Sequence, residues 1–165
     1  MFPLLRLLAL ALLAAAAGAT HLAAQTVTAT FNASLGGVAK LSLSSTSLSF
    51  PDANPDLFPQ VQPSTGAITV IAKARAAAGA TVTLTVQAAD DLRSGVDTIP
   101  AAALTWTASG PGFVAGTVSR AAPQLVGSWS GSGVRTGTQM YQFQNSWNHA
   151  SGTYTVALLY TLATP

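Results

Sequence analysis

The acidic residues of this chain are five aspartates, Asp52, Asp56, Asp90, Asp91 and Asp97, and there is no glutamate. Paired-carboxylate catalysis needs two acids at a set separation in unlike environments, one protonated and one charged. All five aspartates lie among Gly, Pro, Ser and Asn in segments that read as loops, where such side chains ordinarily accept hydrogen bonds from nearby backbone amides. His149 is the one histidine beyond the N-terminal leader. A Ser-His-Asp assembly on a nucleophile elbow would need serine at the centre of Gly127-Ser128-Trp129-Ser130-Gly131, and that position is Trp. These residues point away from a hydrolase and toward a non-enzymatic protein.

Metal and cofactor chemistry fares little better. Asp52-Ala53-Asn54-Pro55-Asp56 matches the opening of a calcium loop, but Leu57 replaces its glycine and Pro63 its closing glutamate, so Asx turns are favoured over a cation cage. One histidine and no cysteine exclude the usual zinc sets. Gly131-Ser132-Gly133-Val134-Arg135-Thr136-Gly137 has one residue too many for a dinucleotide fingerprint and no following helix, so it reads as a glycine-rich β-turn. No cofactor is expected. The remaining candidates are aromatic: Trp129 and Trp147 lie at strand ends, where they could face a ligand or plug the fold, and Trp106 is in phase with Leu104 and reads as core.

The elements that hold these residues follow from composition. Residues 1–24 read as a secretory signal peptide: Arg6 in a short n-region, an apolar run from Leu7 to Ala17 too short to span a bilayer, and a small-residue site at Leu22-Ala23-Ala24. Cleavage after Ala19 is the alternative. Residues 25–165 then make one exported domain, extracellular, periplasmic or on the cell surface, without a transmembrane segment. The charge of +2 comes from few groups, charged residues being 7% of the chain, and the cations form no basic tract, so nucleic acid is not an expected partner.

Beyond residue 25 the period is two, with Thr, Val and aromatics in the alternating positions. Strands are expected over 26–34, with Val27, Ala29, Phe31 and Ala33 on one face, and over 38–50, with a slip between Ser44 and Ser47. Prolines 51, 55, 59 and 63 mark a loop. Ile68–Ala74 and Val82–Ala88 read as a hairpin across Ala78-Gly79-Ala80, and 89–97 as a polar loop. A strand through Trp106 follows, then shorter ones over 113–118 and 124–129. Met140–Asn145 and Thr153–Leu162 read as a final pair, with the last strand central and covered on both faces. Gly152-Thr153-Tyr154 introduces it, and Tyr154 can form a corner, burying its ring while its hydroxyl bonds backbone. The expected fold is an all-β, antiparallel immunoglobulin-like or jelly-roll-like sandwich of about eight to ten strands.

The opening alternating strand, the Leu41-Ser42-Leu43-Ser44 to Phe50-Pro51 passage and the ending Ser146-Trp147-Asn148-His149-Ala150-Ser151-Gly152-Thr153-Tyr154 resemble two families of exported bacterial surface domains. These are the spore coat U-like or archaic chaperone-usher pilins and the WxL-like cell-wall-binding domains. The chain lacks the cysteines many pilins carry, and Trp106-Thr107-Ala108 and Trp129-Ser130-Gly131 lack the leucine of Trp-x-Leu. The resemblance implies a structural or adhesive surface protein whose partners are copies of itself or related subunits, Val27, Ala29, Phe31 and Ala33 making the subunit contact. The alternative is a module for cell-wall or extracellular polysaccharide, using Trp129 or Trp147.

Overall fold

A computed structural model describes residues 29–165, and the leader expected over 1–24 lies outside them. Residues 34–165 form one compact unit, separate from the preceding segment. In chain order its strands are β1 (Val38–Leu43), β2 (Gln60–Val61), β3 (Ile68–Arg75), β4 (Thr81–Ala88), β5 (Leu92–Ser94) and β6 (Asp97–Ile99). After a turn of 3-10 helix at Ala101–Ala103 come β7 (Leu104–Ser109), β8 (Gly116–Thr117), β9 (Gln124–Ser130), β10 (Gly133–Gln144) and β11 (Leu158–Ala163). Every pairing is antiparallel. One sheet has the order β1-β3-β10-β7-β8, with β2 on the end of β10, and the second has the order β11-β4-β9. β5 and β6 make a separate small ribbon. The all-β sandwich follows from these two sheets.

The core lies where the inward parities of the sheets meet. Ile68, Val70 and Ala72 of β3 are buried, as are Val82, Leu84, Val86 and Ala88 of β4, while the residues between them are only partly covered or exposed. Each aliphatic side chain removed from water in this way contributes about 1.5–3 kcal/mol. With no cysteine to cross-link the sheets, that burial and the ladder hydrogen bonds hold them together.

β3 and β4 do not form the expected hairpin. They belong to opposite sheets, and the connection at 76–80 crosses between them, as does the 131–132 connection from β9 to β10. The two crossings are tied together. The Ala76 amide donates to Ser132 Oγ (3.0 Å), the Ser132 hydroxyl lies 3.0 Å from the Ala76 carbonyl, and the Gly131 amide donates to Ala80 O (2.8 Å). Alternation only requires that each strand turn one face to a core, and two strands facing each other across that core satisfy it as well as two neighbours.

The same reason undoes the expected final pair, since β10 and β11 also lie in opposite sheets. β11 is not central: among the described residues it pairs only β4, and Leu159 on its outward face is 66% exposed. β10 is much longer than its expected stretch, and Gly137 is at home inside it because Phe113 covers the position, a Cβ there falling 2.4 Å from the Phe113 ring. The polar loop at 89–97 contains β5 and the turn into β6. Arg93, with help from Arg120, holds the Asp90 carboxyl well below the usual range, an exposed cluster whose contribution to stability is small.

The strand expected over 26–34 is absent from its described part. Ala29, Phe31 and Ala33 carry no regular structure and are exposed, and Val27 falls outside the described residues. An alternating sequence becomes a strand only where a neighbour takes its backbone N–H and C=O groups.

Candidate functional site

The free margin of the sandwich runs between β1 and β11. Among the described residues they lie side by side there without pairing, although each is bonded on its other side, to β3 and β4 respectively. Upstream of β11, Thr155 exchanges two backbone hydrogen bonds with Arg93, both 3.0 Å. Tyr154, Val156, Leu158, Tyr160 and Leu162 pack inward on the core, as do Leu41, Leu43, Leu48 and Phe50, and all nine are only partly buried. Comparable inward positions such as Val70 and Leu84 are fully covered. The margin therefore sets a row of partly covered apolar side chains beside a strand edge that no described residue pairs, the combination to which an added strand binds.

Bends keep the margin open. The Ser44 amide donates to Thr69 O (2.9 Å) and the Thr69 amide to Ser44 Oγ (2.8 Å), which ends the β1 ladder. Ser45 Oγ then donates to Ser47 O (2.6 Å) and closes a local turn. This turn is the slip anticipated between Ser44 and Ser47, and it returns Leu48 and Phe50 to the inner face. Past it the margin widens into a cleft of about 1050 Å³ between segments 47–55 and 145–155, with Leu48, Phe50, Val61, Leu92, Ile99 and Phe143 among its lining.

A polar bridge spans the interior behind β11. Tyr160 donates to Gln139 Oε1 (2.7 Å), so the 2.6 Å contact between the Tyr141 and Tyr160 hydroxyls is donated by Tyr141. Burial pushes the Tyr160 hydroxyl up to about 12 and, together with the neighbouring Tyr160, pushes Tyr141 up further. Gln139 is fully buried and its Nε2 has no acceptor. Sequence alone gave no hint of this bridge.

The aromatic candidates divide. Trp129 is not a ligand-facing residue: it is 8% exposed, its Nε1 donates to Pro111 O (2.9 Å) and its ring meets Phe113 edge-on. Trp106 is core as expected, with Nε1 donating to Val114 O (2.8 Å). Trp147 is 69% exposed on the wall of the cleft, with Nε1 donating to Asp56 Oδ1 (3.0 Å). Asn54 Oδ1 accepts from the Asp56 amide (2.9 Å), so the calcium-like segment contains an Asx turn. Among the described residues no group of three or more His, Cys, Asp or Glu could hold a metal ion.

Tyr154 donates its hydroxyl to Ala150 O (3.0 Å) with its ring half-buried rather than enclosed. Gly152, two residues earlier, lies close against Ser94, whose hydroxyl would have to turn aside for a Cβ at that position. Tyr154→Phe should cost about 1 kcal/mol, the worth of one hydrogen bond, and Tyr154→Ala about 2–3 kcal/mol. Denaturant titration checks both, and midpoints unchanged from wild type would show that the corner contributes nothing.

The chain matches no protein-family model and no curated protein. Fold and site define its class no further than an all-β sandwich whose margin between β1 and β11 is unpaired among the described residues.

Proposed function

We propose that this chain is a non-enzymatic structural or adhesive protein of the cell surface, a pilin-like subunit that joins its neighbour by strand addition along the margin between β1 and β11. The free edge of β11 beside its half-buried row of Tyr154, Val156, Leu158, Tyr160 and Leu162 carries this reading. A strand laid there would satisfy backbone groups of β11 and cover that row in the same event. The occupant is the 26–34 segment of another copy. Its apolar parity, Val27, Ala29, Phe31 and Ala33, supplies a bulky anchor in Phe31 between two alanines small enough for close approach. Gly36-Gly37 gives the connection the freedom to leave its own domain. The leader over 1–24 would deliver the chain outside the cytoplasm.

The test is the oligomeric state of the mature chain. Light scattering and electron microscopy should find concentration-dependent oligomers or filaments, and deletion of residues 25–35 should leave monomers that bind a peptide of that sequence. Phe31→Asp should weaken association at least tenfold, since it would bury a charge in an apolar site. A chain that stays monomeric at high concentration, or oligomers indifferent to the deletion, would show the reading to be wrong.

A further inference from the structure

Large exposed aromatics are ordinarily mobile, and Trp147 is held. Its Nε1 is committed to Asp56, and Asp56 is itself fixed by the Asx turn on Asn54. Asn145 Nδ2 donates to Ala53 O (2.8 Å) and Phe58 O (3.3 Å), pinning the 53–58 loop against the segment that carries the indole. On the other side the His149 amide donates to Ser146 O (3.1 Å) and the Asn148 amide to Ser146 Oγ (3.2 Å), closing the turn that contains Trp147. The ring's one polar atom is satisfied and its position set from both sides, yet more than two-thirds of the residue faces water. Packing does not require this arrangement. The core is complete without the ring, and Trp106 and Trp129 fill the places where indoles stabilise the fold.

We infer that Trp147 is a stacking platform for a neutral oligosaccharide, which runs from the indole face into the adjoining cleft. A pyranose presents a flat face of C–H groups to an aromatic ring and hydroxyls at its edge. The cleft beside Trp147 offers partners for those hydroxyls in Asp52, Asn54, Ser146 and Ser151. It is lined by no Lys or Arg, which disfavours an anionic polymer. Trp147 pairs with no other ring among the described residues, which disfavours an aromatic cage for an organic cation. A fixed platform loses little freedom when the sugar binds, and that is the advantage Asp56 provides.

This site adjoins the margin and shares Leu48, Phe50 and Tyr154 with it, but it does not use the 26–34 segment, so the two can be tested separately. Because Trp106 and Trp129 are buried, a change in tryptophan emission on adding ligand reports Trp147. Cellohexaose, chitohexaose and maltohexaose titrated into the mature chain, and into the variant lacking residues 25–35, should shift the emission of both proteins alike, with at least one sugar saturating below about 10 mM. Trp147→Ala should abolish binding, as read by saturation-transfer NMR, and Trp147→Phe should keep part of it. Asp56→Ala should weaken binding about threefold to tenfold while leaving the thermal midpoint and oligomeric state unchanged, as expected of a positioning residue. No response to any of the three sugars, binding that survives Trp147→Ala, or a response to choline in their place would overturn the proposal. Loss of self-association with sugar binding intact would overturn only the assembly reading.

Discussion

Replacing Trp106 or Trp129 by alanine should each cost about 3–5 kcal/mol of stability, a large share of the roughly 5–15 kcal/mol a domain of this size possesses. Each indole does two things at once. It fills the core, and through Nε1 it bonds the segment between β7 and β8, Trp106 at Val114 O and Trp129 at Pro111 O. The backbone is shaped to receive both rings. A Cβ on Gly116 would fall 2.4 Å from the Trp106 ring, and Cβ atoms on Gly112 and Gly127 would fall 2.3 and 2.7 Å from Trp129. Gly112 also has φ +80°, a conformation open to glycine at little cost. Truncating an indole thus leaves a cavity that glycine neighbours have no side chains to fill, and it removes the hydrogen bond to the Val114 or Pro111 carbonyl. Because both rings hold the same short segment, the double variant should cost less than the sum of the singles. Urea titrations of the two singles and the double check this, and a loss below about 1 kcal/mol for either single would show that the segment is held by other contacts.

Much of the fold was legible because it rests on period-two burial. Ile68, Val70 and Ala72, then Val82, Leu84, Val86 and Ala88, and Leu104 with Trp106, all turn inward as their alternation requires. Partners were not legible. Whether β3 meets β4 within one sheet or across the core depends on the crossing at 76–80, and its decisive contacts come from Ser132 and Gly131, more than fifty residues away. Trp129 was hidden by a bulge: it shares the parity of Leu125, yet the irregularity of β9 against Leu84 and Thr85 leaves Leu125 exposed and Trp129 buried. At the candidate site, the glycine and the aromatic two residues later form a local pattern that pointed to the Tyr154 hydroxyl's backbone bond, to Ala150 O, whereas the ring is half-buried and not enclosed. The open margin left no such trace. Ala157 and Leu159 gave the outer face of the last strand an apolar look that suggested cover on both sides, whereas Leu159 faces solvent.

Raising the pH from about 10 toward 12 should unfold the domain, with Tyr141 and Tyr160 as the titrating groups. In an unfolded chain tyrosine loses its proton near 10. In the fold burial holds Tyr160 up to about 12 and Tyr141 higher. Between those values the native state binds more protons than the unfolded state, so stability falls with rising pH. The contribution is whole below about pH 10 and is lost as the pH climbs through the folded value. Phenolate absorbance should therefore rise together with unfolding for these two residues, not ahead of it. Tyr160→Phe separates the bridge from mere burial. At neutral pH it should cost about 1–3 kcal/mol, because Tyr141 loses its acceptor and the buried Gln139 loses the donor to Oε1. At alkaline pH its stability should fall less steeply than that of the wild type, since one titrating group is gone. Denaturant midpoints for both proteins near neutral and near pH 11 provide the comparison, and a wild-type midpoint unchanged across that range would refute the role of the pair. The location of the bridge gives the result a second reading. Tyr160 belongs to β11, which among the described residues is bonded to one strand only, so its link to Tyr141 and Gln139 is a polar tie from that strand to the opposite sheet, beside the packing of Leu158 and Leu162. Hydrogen exchange at alkaline pH should accordingly quicken first in the amides of β11, before those of β3 and β10, and strand addition along the margin should slow it again.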